Sequence, residues 1–204
     1  MKEKIKITSL KNCKRIPEVV DVHMASFSSF FLTFLGKNFL KYLYCGFVKH
    51  PGSGLFVAVN NRNQIVGFLA YSDDLSGFYK FLIKQYLVPF VWYGGCACLR
   101  RPKIFFRLLR AFRYPSDAKR EESYVELSSI GVLPEISDSG IGKRLIQVLK
   151  QKTDWKKYEY IKLETDAEKN EKANQFYWKN GFVLNHSYET PEGRKMNEYR
   201  YYLK

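Results

Sequence analysis

Apolar and polar positions along this chain of 204 residues follow two periods, which together predict both strands and helices. Alternation every second residue predicts strands, and apolar positions repeating every three to four residues predict helices. The strands predicted in this way cover residues 5–9, 55–59, 64–71, 124–132, 160–165, 182–188 and 195–203. The predicted helices cover residues 17–27, 32–50, 140–152 and 171–180. This order of elements predicts a mixed α+β sheet protein.

A segment at about residues 75–116 interrupts the order between the third and fourth strands. It holds no Asp or Glu, but it carries eight basic side chains with aromatic rings interleaved among them. We predict a helix at its start, a break around residues 89–95 and a second helix over residues 102–112. The basic residues of the segment are Lys80, Lys84, Arg100, Arg101, Lys103, Arg107, Arg110 and Arg113.

Composition narrows the class of protein. A hydrophobic content of 46% argues against disorder, and the length favours a single domain over residues 1–204. The formal charge of +14 suits nucleic acid, an anionic membrane surface or a phosphorylated small molecule, and charge alone does not choose among them. The most apolar stretch, residues 85–99, is too short to cross a bilayer, and the N-terminus lacks a signal-peptide core. A soluble cytoplasmic protein is therefore expected.

The four cysteines favour neither a disulfide framework nor a metal site. Secreted disulfide scaffolds are shorter and richer in Cys, and no CxxC pair with a matching partner is present. We expect free buried thiols and no bound metal. The cysteines are Cys13, Cys45, Cys96 and Cys98.

The segment from Val132 to Leu145 predicts a strand end, a loop and a helix that begins inside a glycine pair. The first N–H groups of a helix lack internal acceptors, and the helix dipole favours an anion at that end. Gly140 and Gly142 allow a close approach of the backbone to a phosphate, and Lys143 and Arg144 add positive charge. By itself the pattern is equally compatible with an ordinary tight loop.

A second segment, from Asn170 to Phe182, predicts a short helix with an Asn at its start and Gly181 just past its end. It follows the strand predicted at residues 160–165. Taken alone, this pattern too could be a structural helix with ordinary ends. The two segments occurring together, at this separation, make the functional interpretation more specific.

The two segments resemble the GNAT superfamily of acetyl-CoA-dependent N-acetyltransferases. The first is similar to its [QR]-x-x-G-x-[GA] motif after a V-x-P strand end, and the second to its N-x-x-A-x-x-F-Y-x-x-x-G-F motif. The resemblance implies a GNAT-like fold: a central, mostly antiparallel twisted sheet splayed at the cofactor cleft, helices on both faces, and a helical insert before the fourth strand. It departs from the family pattern at Ser137, where Gln or Arg is usual, and at the acidic Asp138.

The resemblance also implies the residues that hold acetyl-CoA. The backbone of Ile130 and Val132 is expected to pair with the pantetheine arm, and the N–H of Ile130 to polarise the thioester carbonyl. Asn170 is expected to hydrogen-bond near the pantetheine. The pyrophosphate is expected to bind the backbone amides of Ser137, Asp138, Ser139, Gly140, Ile141, Gly142 and Lys143.

Two residues are candidates for catalysis by the same resemblance. Tyr177 matches the Tyr of the motif, whose phenol can protonate the leaving thiolate; the alternative is a Tyr packed in the core. Glu126 matches a strand position where some members carry the base that deprotonates the amine, and it could equally be a solvent-facing Glu. His23, on the first predicted helix, is a weaker candidate for the base and more often a structural residue.

The implied activity is transfer of an acetyl group from acetyl-CoA to a primary amine of a small molecule, including an amino sugar or sugar nucleotide. Acetylation of protein lysines or N-termini is an alternative, and a non-catalytic module that binds nucleic acid or an anionic membrane is another. The basic aromatic segment would suit an anionic acceptor, a solvated helical pair or peripheral membrane contact. Nucleic acid is not expected as a partner because no known binding motif is present, and a homodimer is left open.

Overall fold

A single seven-stranded sheet organises the computed structural model, which describes residues 4–27, 30–100 and 123–203. Its strand order is β1-β2-β3-β4-β5-β7-β6. Every neighbouring pair is antiparallel except β4 and β5, which run parallel. The strands are β1 (Lys6–Ser9), β2 (Ser53–Val59), β3 (Ile65–Ser72), β4 (Tyr124–Val132), β5 (Tyr160–Asp166), β6 (Val183–Glu189) and β7 (Lys195–Tyr202).

Within the described ranges, six helices accompany this sheet. Two short 3-10 turns, Cys13–Arg15 and Pro134–Ser139, precede α1 and α5. The helices are α1 (Ile16–Ser26), α2 (Phe31–Phe34), α3 (Lys37–Lys49), α4 (Leu75–Arg100), α5 (Ile141–Lys152) and α6 (Glu171–Lys179). The mostly antiparallel sheet with helices on both faces and a helical element before the fourth strand confirms the predicted GNAT-like fold.

Two hydrophobic cores lie on opposite faces of the sheet. Helices α1, α3 and α4 cover one face, where His23 and Phe68 pack together and which we call the acceptor-side face. Helices α5 and α6 cover the other, where Ile141 and Tyr177 are buried and which we call the cradle-side face. Apolar residues recur at helical spacing along α5, so its apolar face points into this core.

Two predicted helices differ from the structure. The helix predicted over residues 32–50 is two helices, because Gly36 adopts a φ of +87° that ends one and starts the next. The break predicted around residues 89–95 is wrong: α4 continues to Arg100 and kinks earlier, at Tyr86. Pro89 lies three residues after the kink, in the first turn of the following helical part, where a missing N–H costs little. The helix predicted over residues 102–112 lies outside the described residues.

The expectation of free thiols is wrong for two of the four cysteines. Cys13 and Cys45 form a disulfide that links the first 3-10 turn to α3, with their Cα atoms 5.4 Å apart. They are separated by 32 residues, so only the packing of α3 against the start of α1 brings them together. The side chains of Cys96 and Cys98 lie outside the described part of the chain.

No helix in the described ranges has both the length and the apolar character needed to cross a lipid bilayer.

Candidate active site

The most distinctive feature of the sheet is the separation of β4 from β5. The two strands pair only over Tyr124↔Tyr160, Val125↔Ile161 and Glu126↔Lys162. Beyond that point β4 pairs only with β3, out to Val132, whereas β5 pairs only with β7. A gap therefore opens between the two central strands directly after Glu126, as predicted for a sheet splayed at a cofactor cleft.

A β-bulge at Ser128 sets the direction of the side chains along β4. Ser129 pairs with Ala70 and Leu127 with Tyr71, so Ser128 is left without a partner residue on β3. The extra residue shifts the alternation of faces by one position. As a result, the cradle-side core receives side chains from both sides of the bulge. These are Val125 and Leu127 before it, and Ile130 and Val132 after it.

Backbone groups of β4 face the gap. The N–H of Leu133 donates to the carbonyl of Val66 at 2.9 Å, so Leu133 faces β3. Because residues of an antiparallel strand face their partner alternately, the N–H groups of Ile130 and Val132 face away from β3 and into the gap. The carbonyl of Val132 accepts a hydrogen bond from Ser26 Oγ at 2.9 Å. The predicted pairing groups are therefore oriented toward the gap, except that this carbonyl already has a protein donor.

The predicted pyrophosphate cradle is a 3-10 turn that leads through Gly140 into α5. Gly140 has a φ of +81°, which a residue with a Cβ adopts only under strain. The N–H groups of Ile141, Gly142 and Lys143 begin α5, and the described part of the structure shows neither a backbone acceptor nor a side-chain cap for them. Three consecutive amides at a helix N-terminus form an anion-binding site.

The earlier part of the predicted cradle is a 3-10 segment. Ser137, Asp138 and Ser139 lie in it, just after the non-helical residue Ile136. Ser139 Oγ also donates to the carbonyl of Ile136 at 2.7 Å. Arg144 is directed elsewhere, because its Nη2 donates to the carbonyl of Ile5 at 2.7 Å. The amides of the first turn of α5 and those of the 3-10 segment stay the predicted pyrophosphate contacts.

Gly142 has a packing role that the sequence did not indicate. A Cβ at this position would lie 3.0 Å from the ring of Phe176 on α6, closer than such contacts normally allow. The glycine therefore lets α5 and α6 approach each other, which places the second motif beside the first. The same contact keeps the N-terminal turn of α5 in a fixed position.

Two asparagines fix the start of α6. Asn170 Nδ2 donates to Thr165 Oγ1 at 2.7 Å, so its amide holds the end of β5. Asn174, which the sequence motif did not single out, donates to the carbonyl of Asp166 and accepts from the hydroxyl of Tyr199 at 2.9 Å. This network positions α6 against β5 and β7 and gives Asn170 a structural contact, while its role near the pantetheine stays a prediction.

Tyr177 lies in the cradle-side core on α6, with its ring among Phe176, Phe182 and Tyr199. Burial raises the pKa of its phenol to about 12. A hydrogen-bond partner for the hydroxyl is not found among the described residues. A phenol with so high a pKa remains protonated at neutral pH and is available as a proton donor.

Glu126 lies on the opposite face from Tyr177, at the last paired position before the gap. It is buried, with 7% of its surface exposed, and its Oε2 is 4.0 Å from Lys162 Nζ. Lys162 also contacts Glu164 Oε1 at 2.8 Å and Glu198 Oε2 at 3.4 Å. The interpretation of Glu126 as a solvent-facing strand residue is therefore wrong: it belongs to a buried group of charges.

The charges of this group favour the ionised form of Glu198. Burial raises the pKa of Glu198, but the hydrogen bond from Arg200 and the charge of Lys162 lower it more, so the net pKa lies below the usual value. The signal that could have revealed this group is the alternation in β5 and β7, where Lys162, Glu164, Glu198 and Arg200 occupy one face.

His23 is buried on α1 with 1% of its surface exposed. Its Nδ1 lies 2.7 Å from the hydroxyl of Tyr44, which in turn lies 3.3 Å from Ser129 Oγ on β4. Burial lowers the pKa of His23 to about 4. This position behind β4, in an apolar setting, matches the structural interpretation of His23.

Comparison with known proteins adds an independent observation. The sequence matches the Acetyltransferase (GNAT) family over residues 16–182. The chain belongs to the GNAT acetyltransferase family. This acetyltransferase therefore uses acetyl-CoA as its acetyl donor. A search of curated proteins finds no match for the sequence.

Solved structures share the fold of this acetyltransferase at low sequence identity. A GNAT-family acetyltransferase candidate from Desulfovibrio desulfuricans has a TM-score of 0.66 and 15% identity, over 98% of this chain and 99% of its own. A spermidine N-acetyltransferase SpeG chimera from Vibrio cholerae and hSSAT has a TM-score of 0.60 and 13% identity, over 97% and 95%. A streptothricin acetyltransferase candidate from Bacillus anthracis, in complex with acetyl coenzyme A, has a TM-score of 0.50 and 18% identity, over 78% and 66%. At these identities the likeness shows the fold alone.

The residues of the site fit acetyl-CoA, which supplies a thioester-activated acetyl group carried on a diphosphate-containing arm. The amides of Ile141, Gly142 and Lys143 suit the diphosphate, and the gap-facing amides of Ile130 and Val132 suit an amide-rich arm. Among the described residues, no group of three or more His, Cys, Asp or Glu could hold a metal ion. The individual roles of the site residues stay predictions.

Proposed function

We propose that this acetyltransferase transfers the acetyl group of acetyl-CoA to the primary amine of a small molecule, with amino sugars and sugar nucleotides as the first acceptors to test. The observation that carries the proposal is the placement of a buried carboxylate, Glu126, at the residue where β4 leaves β5. An amine must lose a proton to attack a thioester, and a carboxylate beside the gap can accept it.

The two catalytic candidates approach the gap from opposite faces of the sheet. Glu126 lies on the acceptor-side face, and Tyr177 lies in the cradle-side core. In the proposed reaction the acceptor nitrogen forms a bond to the acetyl carbon and the carbon–sulfur bond breaks. Glu126 accepts the proton of the amine, and Tyr177 protonates the sulfur that leaves. The N–H of Ile130 donates to the carbonyl oxygen as negative charge develops on it.

Burial of the carboxylate supports a slender acceptor. Glu126 and Lys162 each expose less than a tenth of their surface, so the amine has to enter a recess rather than lie on a surface. A free amino group on a small molecule meets this requirement directly. A lysine side chain or an N-terminus can also bring an amine to this depth, so peptides are the alternative acceptors.

A screen of coenzyme A release tests the proposal. The acceptors are amino sugars, amino-sugar nucleotides, polyamines and peptides, each measured with wild type, Glu126→Gln and Tyr177→Phe. We expect turnover of a small amine, a loss of about 100-fold or more in kcat/KM for Glu126→Gln, and a smaller loss for Tyr177→Phe. Glu159→Gln is the control, because Glu159 is exposed just before the paired start of β5 and should leave turnover unchanged.

The outcomes separate the claims. Turnover of peptides without turnover of any small amine would replace the proposed acceptor class. Full activity of Glu126→Gln would remove Glu126 as the base. Coenzyme A should stabilise both variants against heat as much as it stabilises wild type. That result would show that a loss of turnover does not arise from weaker binding of coenzyme A.

A further inference from the structure

Helix α4 is apolar on two sides after its kink at Tyr86. One side packs on α3, where Phe90 contacts Phe39 with ring centroids 4.6 Å apart and Tyr86 contacts Tyr42 at 5.2 Å. The other side exposes four large apolar side chains, which we call the apolar stripe. These are Leu87 (53% exposed), Val88 (78%), Val91 (64%) and Trp92 (68%).

The stripe is a contiguous surface rather than a scatter of single residues. Its members stand at positions i, i+1, i+4 and i+5, which fall on one side of a helix. A helix that is apolar all round is normally covered on all sides, and adjoining exposed apolar residues mark a place of contact. The described residues leave this side of α4 in water.

The surroundings of the stripe are basic. Lys80 and Lys84 are exposed on the part of α4 before its kink, seven residues before Leu87 and four residues before Val88. Residues 75–116 contain eight Lys and Arg and no Asp or Glu, within a chain of net charge +14. Lysines beside a patch of Leu, Val and Trp are typical of a helix that lies in the interface of an anionic bilayer.

This combination of charge and apolar surface selects one kind of partner. A second copy of the chain would bring two strongly positive surfaces together, so like charges oppose that contact. A nucleic acid would pair its phosphates with the lysines but would leave the aliphatic side chains uncovered. An anionic lipid surface meets both needs, because its head groups pair with the lysines and its acyl region covers the apolar side chains.

We propose that α4 docks this acetyltransferase on an anionic lipid surface, with the apolar stripe inserted below the head groups. Since the other side of α4 is held against α3, the helix lies along the surface with one side in contact. The proposal is independent of the acceptor, because the stripe contains none of the residues assigned to catalysis or to acetyl-CoA.

Vesicle co-sedimentation tests the proposal with the full chain. Wild type is mixed with vesicles of phosphatidylcholine alone and with vesicles that also contain phosphatidylserine. We expect binding to the anionic vesicles, weak binding to the neutral ones, and roughly tenfold weaker binding to the anionic vesicles for Trp92→Ser. Lys80→Gln combined with Lys84→Gln should also weaken binding, and added salt should weaken it further.

Trp178→Ser is the matched control, because Trp178 on α6 is 69% exposed and lies outside the stripe. It should bind vesicles as wild type does. All four substituted positions are exposed, and unchanged melting temperatures will verify that the variants fold. Equal binding to both vesicle types, equal losses for Trp92→Ser and Trp178→Ser, or no binding at all would overturn the proposal. So would a dimer, or a complex with RNA, that Trp92→Ser abolishes while vesicle binding persists.

Discussion

The buried histidine makes the stability of this acetyltransferase sensitive to acid. His23 lies behind β4 with the rings of Phe27 and Phe68 around it, and its Nδ1 contacts the hydroxyl of Tyr44. Its Nε2 is buried without a hydrogen-bond partner among the described residues. Burial therefore disfavours the charged imidazolium and lowers the pKa from 6.5 to about 4.

The direction of the effect follows from the two pKa values. The unfolded chain binds the proton near pH 6.5, whereas the folded chain binds it only near pH 4, so acid favours unfolding. The stabilisation is complete above about pH 6.5 and is lost as the pH falls through about 4. The whole difference amounts to about 3 kcal/mol, of which about 2 kcal/mol is lost by about pH 5.

Urea unfolding of wild type and His23→Gln, followed by circular dichroism, measures this contribution. Between about pH 7.5 and about pH 5, the free energy of unfolding of the variant should fall by about 2 kcal/mol less than that of wild type. Glutamine does not titrate, and the comparison of slopes is unaffected by any constant loss of stability.

The reasoning would be refuted if wild type and His23→Gln lost stability in parallel over that range. Such a result would mean that the imidazole gains a proton in the folded state almost as easily as in the unfolded state. The acid sensitivity that remained would then belong to carboxylates such as Glu198, whose lowered pKa also costs stability when it is protonated.

Two further predictions concern the contacts that hold the cradle. Gly142→Ala should lower the free energy of unfolding by about 1–3 kcal/mol and weaken stabilisation by coenzyme A, because the added Cβ presses on Phe176. Thermal melts with and without coenzyme A measure both effects. Gly95→Ala is the control and should show neither loss, because a Cβ there meets no atom of the described residues within 4 Å. Asn174→Ala should lower the free energy of unfolding by about 2 kcal/mol, as measured by urea unfolding. The substitution removes the acceptor of the Tyr199 hydroxyl and a donor to the Asp166 carbonyl at the end of β5. A loss below about 0.5 kcal/mol would contradict this account.

Local patterns predicted the elements whose ends are set by nearby residues. Helix α5 begins one residue after the predicted start and ends where predicted. Its apolar face and the left-handed Gly140 before it define the helix locally. Gly181 follows α6 with a φ of +83°, as the glycine after a helix was expected to do. The strands in chain order and the helices α1, α5 and α6 were thus accessible from local patterns, whereas the gap between β4 and β5 was expected only from the family resemblance.

Features that depend on residues far apart in the chain were not accessible. The disulfide joins positions 32 residues apart, and Lys162 meets Glu126 and Glu198 from three different strands. Gly142 was interpreted as a phosphate contact, whereas the structure shows that its missing Cβ also makes room for Phe176. Alternation in β5 and β7 places their charges on one face of each strand, but it does not show which strands pair or which helices pack together, and that decides these contacts.

A single extra residue in β4 connects most of the site. Without the bulge at Ser128, strict alternation would place Ile130 and Val132 on the same face as Glu126 and would remove them from the cradle-side core. With it, apolar side chains before and after the bulge share one core, while Glu126 points to the acceptor-side face. Because pairing with β5 has already ended at Glu126, the strand after the bulge can present its amides to the gap. The bulge thereby lets one strand carry the proposed base and the amides proposed to bind the thioester at adjoining positions.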